Sequence, residues 1–223
     1  MSPEGIAGKL QAALDAFAPD ACVGALAAVG RDALAGLSTG EAELTRPWAP
    51  HRREEFAAGR HCARRALAAV GAESGLSLPD ADGLPVWPEG FLGSISHSRG
   101  IAGAVAAPAK KFSLLGLDLE KTDRLSEAAM RRVLHPLEAA FAAGDQAKTT
   151  ILFSLKEAFY KAQFPRWRTA GNFGDLALCV DLGAGAARVA EMDARFAPEL
   201  EELCFGFRIV GDYVLSLVWL GVP

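Results

Sequence analysis

What this chain lacks narrows its function first. No stretch approaches the roughly 18 consecutive apolar residues that a membrane helix needs. The opening MSPEGIAGKLQAALDAF carries acidic residues and no apolar core of the signal-peptide kind, so a cytoplasmic protein without a membrane partner is expected. Excess positive charge is missing too. With 23 basic and 27 acidic residues the formal net charge is -4, which argues against a nucleic-acid partner. Cysteine is scarce, and Cys22, Cys62, Cys179 and Cys204 form neither a CxxC pair nor any zinc spacing. Free thiols in a reducing compartment follow as the expectation. Disorder is excluded by what is present: 51% hydrophobic residues against 22% charged is enough for a core.

The hydrophobic pattern divides the chain into two similar runs of elements. Residues 6–17 read as a short helix and the apolar run 21–29 as a buried strand. From His51 to Val70 the period becomes helical, with Phe56, Ala63, Leu67 and Val70 inward and Arg52, Arg53, Arg60, Arg64 and Arg65 outward. Gly71 is the expected C-cap. FLGSISHS and IAGAVAA form a predicted hairpin turning at Ser98-Arg99-Gly100. LLGLDLE, 114–120, is a further strand. Helical segments are predicted over 126–144, broken by Pro136, and over 147–164, ended by Pro165. LALCVDL, ARVA, CFGFRIV and YVLSLVWL complete the strands, with turns at GAG and Gly211-Asp212. The expected class is α+β (mixed α/β). The expected halves are 1–109 and 110–223, each a small sheet on one long helix. The repeat is visible in the order of elements and not residue by residue.

Four stretches carry possible chemistry. In GLDLE, alternation along a strand puts Asp118 and Glu120 on one face and Leu115, Leu117 and Leu119 on the other, toward a core. Two carboxylates so placed lie within about 7 Å and can share a hard cation, although an isolated DxE also suits a solvated strand face. In FSLKEAFYK, Glu157 and Lys161 stand four apart on one helix face. That is a favourable surface pair worth about 0.2–0.5 kcal/mol, or else a third oxygen ligand with a lysine placed to meet a phosphate. In GSISHSRG, Ser96 and His97 could bind a phosphate through a hydroxyl and a ring N–H, or be an ordinary turn. No GxSxG elbow precedes them, which disfavours a serine hydrolase. The arginines of 52–65 form either a one-sided phosphate-binding patch or a plain solvated face.

GRHCARRAL, WPEGFLGSISHSRG, LLGLDLE and FSLKEAFYKAQFP, in this order and spacing, closely resemble the 4′-phosphopantetheinyl transferases of the enterobactin-synthase-associated and Sfp-like type. The resemblance spans roughly residues 45–165. It implies a pseudo-twofold monomer of two similar halves with coenzyme A in the cleft between them. It also implies the reaction, in which the phosphopantetheine arm moves from coenzyme A to a serine of an apo acyl or peptidyl carrier protein and adenosine 3′,5′-bisphosphate leaves. By motif position, Asp118, Glu120 and Glu157 resemble the magnesium ligands, with manganese a possible substitute. Glu157 also resembles the base for the serine, and Lys161 the lysine at the pyrophosphate and leaving group. Lys156 matches the motif's first lysine, at the coenzyme A site. Arg52 and Arg60 resemble the pair that grips the 3′-phosphate end, and Ser96 and His97 the pair at the coenzyme A phosphates.

Two departures stand out. Some relatives carry a lysine shortly before the WP dipeptide, where this chain has Asp80, Asp82, Gly83, Leu84 and Pro85. Leu119 separates the strand acids, so that motif supplies no third carboxylate. Downstream, Arg124, Arg131 and Arg132 mix with Leu125, Met130, Val133 and Leu134, a pattern suited to docking an acidic carrier helix as well as to an ordinary amphipathic helix. Carriers of siderophore and other secondary pathways are among the expected acceptors. The alternative of a different class is a catalytically silent coenzyme A-binding module.

Overall fold

The computed structural model describes residues 2–196 and 202–222. The chain divides into two units, Met1–Lys111 and Phe112–Pro223.

Unit 1 begins with α1 (Pro3–Phe17), which starts where the Ser2 hydroxyl accepts the Gly5 N–H and Pro3 supplies a preset φ. Its inward stripe, Leu10 and Leu14, is fully buried. β1 (Val23–Ala28), α2 (Thr39–Thr45) and α3 (Pro50–Ala69) follow, then the hairpin β2 (Phe91–Ser98) and β3 (Ile101–Pro108). The three strands pair antiparallel in the order β1-β3-β2. The hairpin turn is one residue tighter than expected. Ser98 pairs with Ile101, and only Arg99 (φ 46°) and Gly100 (φ 88°) lie between, both left-handed as a type I′ turn requires. The two faces are covered differently. A Cβ on Gly24 would collide with Leu14 of α1, so that helix presses on β1 at this glycine. On the opposite face α3 sets Cys62 and Ala63 against Ala25 and Ala104. Gln11 closes the outer edge of β1, accepting the Leu26 N–H at 2.8 Å and donating to Gly24 O at 3.0 Å.

Unit 2 runs β4 (Phe112–Lys121), α4 (Glu127–Val133), a short turn of 3-10 helix (Pro136–Glu138), α5 (Ala139–Ala142), α6 (Gln146–Trp167), β5 (Leu176–Asp181), β6 (Ala186–Met192), β7 (Cys204–Val210) and β8 (Tyr213–Gly221). The five strands pair antiparallel in the order β4-β8-β7-β6-β5. Ile151, Leu152, Leu155, Ala158 and Phe159 of α6 form the core with Leu114, Phe205, Phe207, Val214 and Val218. Pro165 does not end α6. It sits in the last turn, where a missing N–H costs one bond, and Arg168 (φ 52°) closes the helix by donating to Phe164 O at 2.9 Å.

Both faces of β4 are buried, the leucine face as expected and the acid face as well. A Cβ on Gly116 would strike Ala158 O and stand 2.8 Å from Ala162 N, so the face holding Leu114, Gly116, Asp118 and Glu120 is the one against α6. Leu115, Leu117 and Leu119 are equally buried, on the other face. With antiparallel sheets and helices in both units, the fold is α+β. No helix among the described residues is long and apolar enough to cross a membrane.

Candidate active site

Gly116 explains how unit 2 brings distant residues together. With no side chain at that point, the backbone of β4 reaches the backbone of α6, and the next residues on the same strand face meet the helix's polar positions. Lys161 Nζ donates to Asp118 Oδ1 at 2.6 Å. Asp118 and Glu120 are only 4% and 2% exposed, far too buried to be a solvated strand face. Glu120 accepts from the guanidinium of Arg124. Burial pushes the Glu157 carboxyl above its ordinary range, the negative charge of Asp118 pushes further, and Glu120 adds to both against Lys161 and Arg124. Glu157 therefore feels both strand acids, and Lys161 is paired with one of them.

Among the described residues no three acids, histidines or cysteines are set closely enough to cage a metal. The donor chemistry still fits magnesium, which takes one or two carboxylates, keeps waters and completes its shell with phosphate oxygens. The negative charge that Asp118 and Glu120 put on Glu157 is the kind a divalent cation relieves. Asp118 and Glu120 on one strand face, with Glu157 beside them, are the residues that would hold it.

Lys156 sits elsewhere. It is 3% exposed, and its three protons go to Glu138 Oε2 at 2.7 Å, Val133 O at 2.9 Å and Phe173 O at 2.8 Å. An ammonium has three donors, so none remains for a phosphate, and the expected coenzyme A contact is corrected to an internal anchor. Burial lowers the Lys156 ammonium from its ordinary range, and Glu138 partly restores it.

In unit 1 the expected phosphate-binding residues separate into two groups. Arg52 Nη1 lies 3.2 Å from His97 Nε2, joining α3 to β2. Arginine can only donate, so Nε2 accepts and the ring proton sits on Nδ1, which faces Glu55 Oε1 at 3.5 Å. His97 lies within the strand rather than at the turn, and its neighbour Ser96 points to the opposite face, buried with Ser94 and Ser98. Ser96 and His97 therefore do not converge as a pair. Arg60 is not part of an exposed patch either. It is 2% exposed, donating from Nε to Glu41 Oε1 at 2.5 Å and from Nη2 to Leu76 O at 3.1 Å and Ser77 O at 2.5 Å. Arg64 grips the other oxygen of Glu41. Burial pushes Glu41 up, but the Ser38 amide and the two guanidiniums outweigh it and hold the carboxyl below its usual range.

Of the expected docking arginines, Arg124 pairs with Glu120 while staying exposed itself, and Arg131 and Arg132 are exposed on α4 with Leu137 nearby in sequence at 61% exposure. Sequence reasoning did not single out Glu41, Glu55 or Glu138. A signal existed for the first, since Ser38 and Glu41 spell a capping box. It also missed a cavity of about 180 Å³ in unit 2, whose walls include Glu157, Tyr160, Phe159, Phe173 and Phe196.

The family model described as 4′-phosphopantetheinyl transferase N-terminal domain matches residues 40–107, and that described as 4′-phosphopantetheinyl transferase superfamily matches residues 114–218. The chain is 37% identical over 142 residues to the 4′-phosphopantetheinyl transferase Svp of Streptomyces mobaraensis, covering 61% of this chain and 58% of that protein. It is 37% identical over 138 residues to the 4′-phosphopantetheinyl transferase PptT of Mycobacterium tuberculosis, covering 57% and 59%. It is 30% identical over 135 residues to enterobactin synthase component D of Salmonella typhi, covering 52% and 54%. The chain thus spans somewhat more than half the length of each curated relative it matches.

Proposed function

The chain belongs to the 4′-phosphopantetheinyl transferase superfamily, and on that premise we propose that it moves the phosphopantetheine arm of coenzyme A onto a serine of an apo acyl or peptidyl carrier protein. The observation that carries the proposal is the single electrostatic cluster of Glu157, Asp118, Glu120 and Lys161, built from a strand and a helix far apart in sequence.

Glu157 accepts the serine proton as the serine oxygen bonds to the phosphorus that carries the pantetheine. Burial raises its pKa in the metal-free protein. A magnesium ion held tightly by the same carboxylate would make it a weaker base, so the role calls for a loose hold on the ion or an intervening water. The bond from that phosphorus to the bridging oxygen breaks, and adenosine 3′,5′-bisphosphate departs with the electron pair. Lys161 faces the charge that develops on the leaving phosphate, and its ammonium offsets it. Magnesium held by Asp118, Glu120 and Glu157 would neutralise pyrophosphate charge, and manganese has the same coordination chemistry. Transfer of this kind needs positioning and charge neutralisation more than covalent help from the protein.

The cavity beside Glu157 offers apolar walls for the carbon chain of the arm. In unit 1, Arg52, already joined to His97, supplies guanidinium donors for the nucleotide phosphates. Arg131 and Arg132, exposed at the end of α4, are the proposed contact for an acidic carrier. The protein works as a cytoplasmic monomer in this reading.

The test is incubation with coenzyme A, magnesium and a panel of apo-carriers, read by intact mass. A carrier gaining the mass of one phosphopantetheine is expected. Binding of coenzyme A without transfer to any carrier would favour the silent module and overturn the proposal.

A further inference from the structure

Two glutamates, each 1% exposed, take no part in the proposed chemistry, and both perform the same task. Glu41 ends a capping box at Ser38, and Glu138 ends one at His135. Each carboxylate then reaches a cation on its unit's long helix, Arg60 at 19 residues' separation and Lys156 at 18. In unit 2 the result is a closed polar knot. Glu138 accepts Leu178 N–H through Oε1 at 2.8 Å, and His135 N–H at 2.9 Å and Lys156 at 2.7 Å through Oε2. Lys156 also donates to Val133 O and Phe173 O. One ion pair therefore ties the end of α4, the turn before α5, α6, the turn at Phe173 and β5.

The position of this knot matters for the site. Lys156 immediately precedes Glu157 on α6, and Phe173, which it holds by the backbone, is a wall of the cavity at Glu157. Two well-packed apolar residues could stabilise this interior as well as an ion pair does. A pair with each proton matched specifies one arrangement of backbone, because any shift strands a buried polar group. We infer that Glu138 and Lys156 are positioning residues, a buried ion pair that sets the Phe173 wall of the cavity against Glu157 without touching coenzyme A. The catalytic consequence rests on the transferase reading, while the positioning itself rests on the geometry of unit 2.

The test compares Lys156→Met, Glu138→Leu and the double variant with the wild-type chain. Three quantities are measured: amide hydrogen exchange, affinity by calorimetry for adenosine 3′,5′-bisphosphate, which lacks the arm, and kcat for transfer. In Lys156→Met, amides of 173–178 should exchange at least about tenfold faster, with β8 amides little changed. The double variant, with no buried charge left unpaired, should regain its melting temperature. Its kcat should still fall about tenfold or more through misplacement of the cavity wall, with adenosine 3′,5′-bisphosphate affinity within about threefold of wild type. A tenfold loss of adenosine 3′,5′-bisphosphate affinity in the double variant would make Lys156 a phosphate ligand and overturn the inference. Full recovery of kcat together with stability would reduce the pair to a structural role and also overturn it. If the wild-type chain modifies no carrier, the transferase reading fails. The exchange data then decide the positioning claim, which falls if 173–178 are unaffected or change uniformly with the rest of unit 2.

Discussion

In unit 1 the 20-residue α3 meets its sheet where the helix itself carries a glycine, and a Cβ on Gly59 would stand 2.8 Å from the Ile95 methyl. In unit 2 the 22-residue α6 meets its sheet where the strand carries the glycine, and a Cβ on Gly116 would strike the backbone of α6 itself. The difference in where the glycine lies changes what the helix meets. Gly59 lets a helix settle on alanines and an isoleucine, which makes a small packed layer. Gly116 brings the strand so near α6 that Asp118, two residues on, reaches Lys161 on the helix. Both units also brace the long helix from a capping-box glutamate. In unit 1 that carboxylate is shared by Arg60 and Arg64, and Arg60 Nη1 is left buried without a partner. In unit 2 it serves one lysine whose three donors are all matched. Similar scaffolds have thus been given different tasks, and unit 2 holds the acids.

The comparison breaks most visibly at Glu157. Glu157→Gln should lower the transfer rate by about 10²–10⁴-fold, measured as holo-carrier formed per minute. The same change should stabilise the metal-free protein at neutral pH. A carboxyl whose folded pKa is raised binds its proton more tightly when folded, so its ionised form costs stability as pH rises past the ordinary carboxylate range. Melting curves in chelator should therefore show the variant ahead at pH 7, with the gap closing below about pH 4.

Unit 1 should yield the largest loss of stability. Arg60→Met leaves Glu41 buried with Arg64 alone, and a loss of about 3–5 kcal/mol is expected from denaturant unfolding. Glu41 behaves oppositely to Glu157 with pH. Its folded pKa is depressed, so its contribution is present above the ordinary carboxylate pKa and disappears as pH falls through the lower folded value. The cost of Glu41→Gln should shrink accordingly in acid.

The two glycines sharpen the contrast further. Gly116→Ala drives a methyl into helix backbone that cannot move alone, and a loss of about 1–3 kcal/mol with reduced transfer is expected. Gly59→Ala meets only a side-chain methyl and gains helix propensity, so a net change within about 1 kcal/mol is expected, with activity retained. The smallest effect on stability belongs to Arg131→Glu on the surface of α4, within about 0.5 kcal/mol. Its signature should be a higher KM for the carrier and an unchanged KM for coenzyme A. Equal changes in both would remove α4 as the docking contact.

Much of the architecture was legible because it is local. The strand runs, the existence of the β2-β3 hairpin and the helical stripe Leu152, Leu155 and Phe159 all follow from side-chain period and turn chemistry. The site was legible in part, and the errors share a cause. Ser96 and His97 are adjacent in sequence, so they were paired, yet a strand sends neighbours to opposite faces. Arg60 reads as part of an outward cationic face and Lys156 is placed only by motif position, but the burial of both depends on Glu41 and Glu138, which lie 19 and 18 residues away. No pattern within a helix reports a partner at that distance.

The amino-acid sequence alone determined the elements, the family likeness and the group of acids and lysine from which a phosphoryl-transfer site would be assembled, because these depend on short-range chemistry. Only the tertiary structure decided which face of β4 meets α6, which cations stay available and which are locked in the interior. Those outcomes depend on the close approach at Gly116 and on the rule that a charge removed from water must find its counter-charge wherever the fold supplies one.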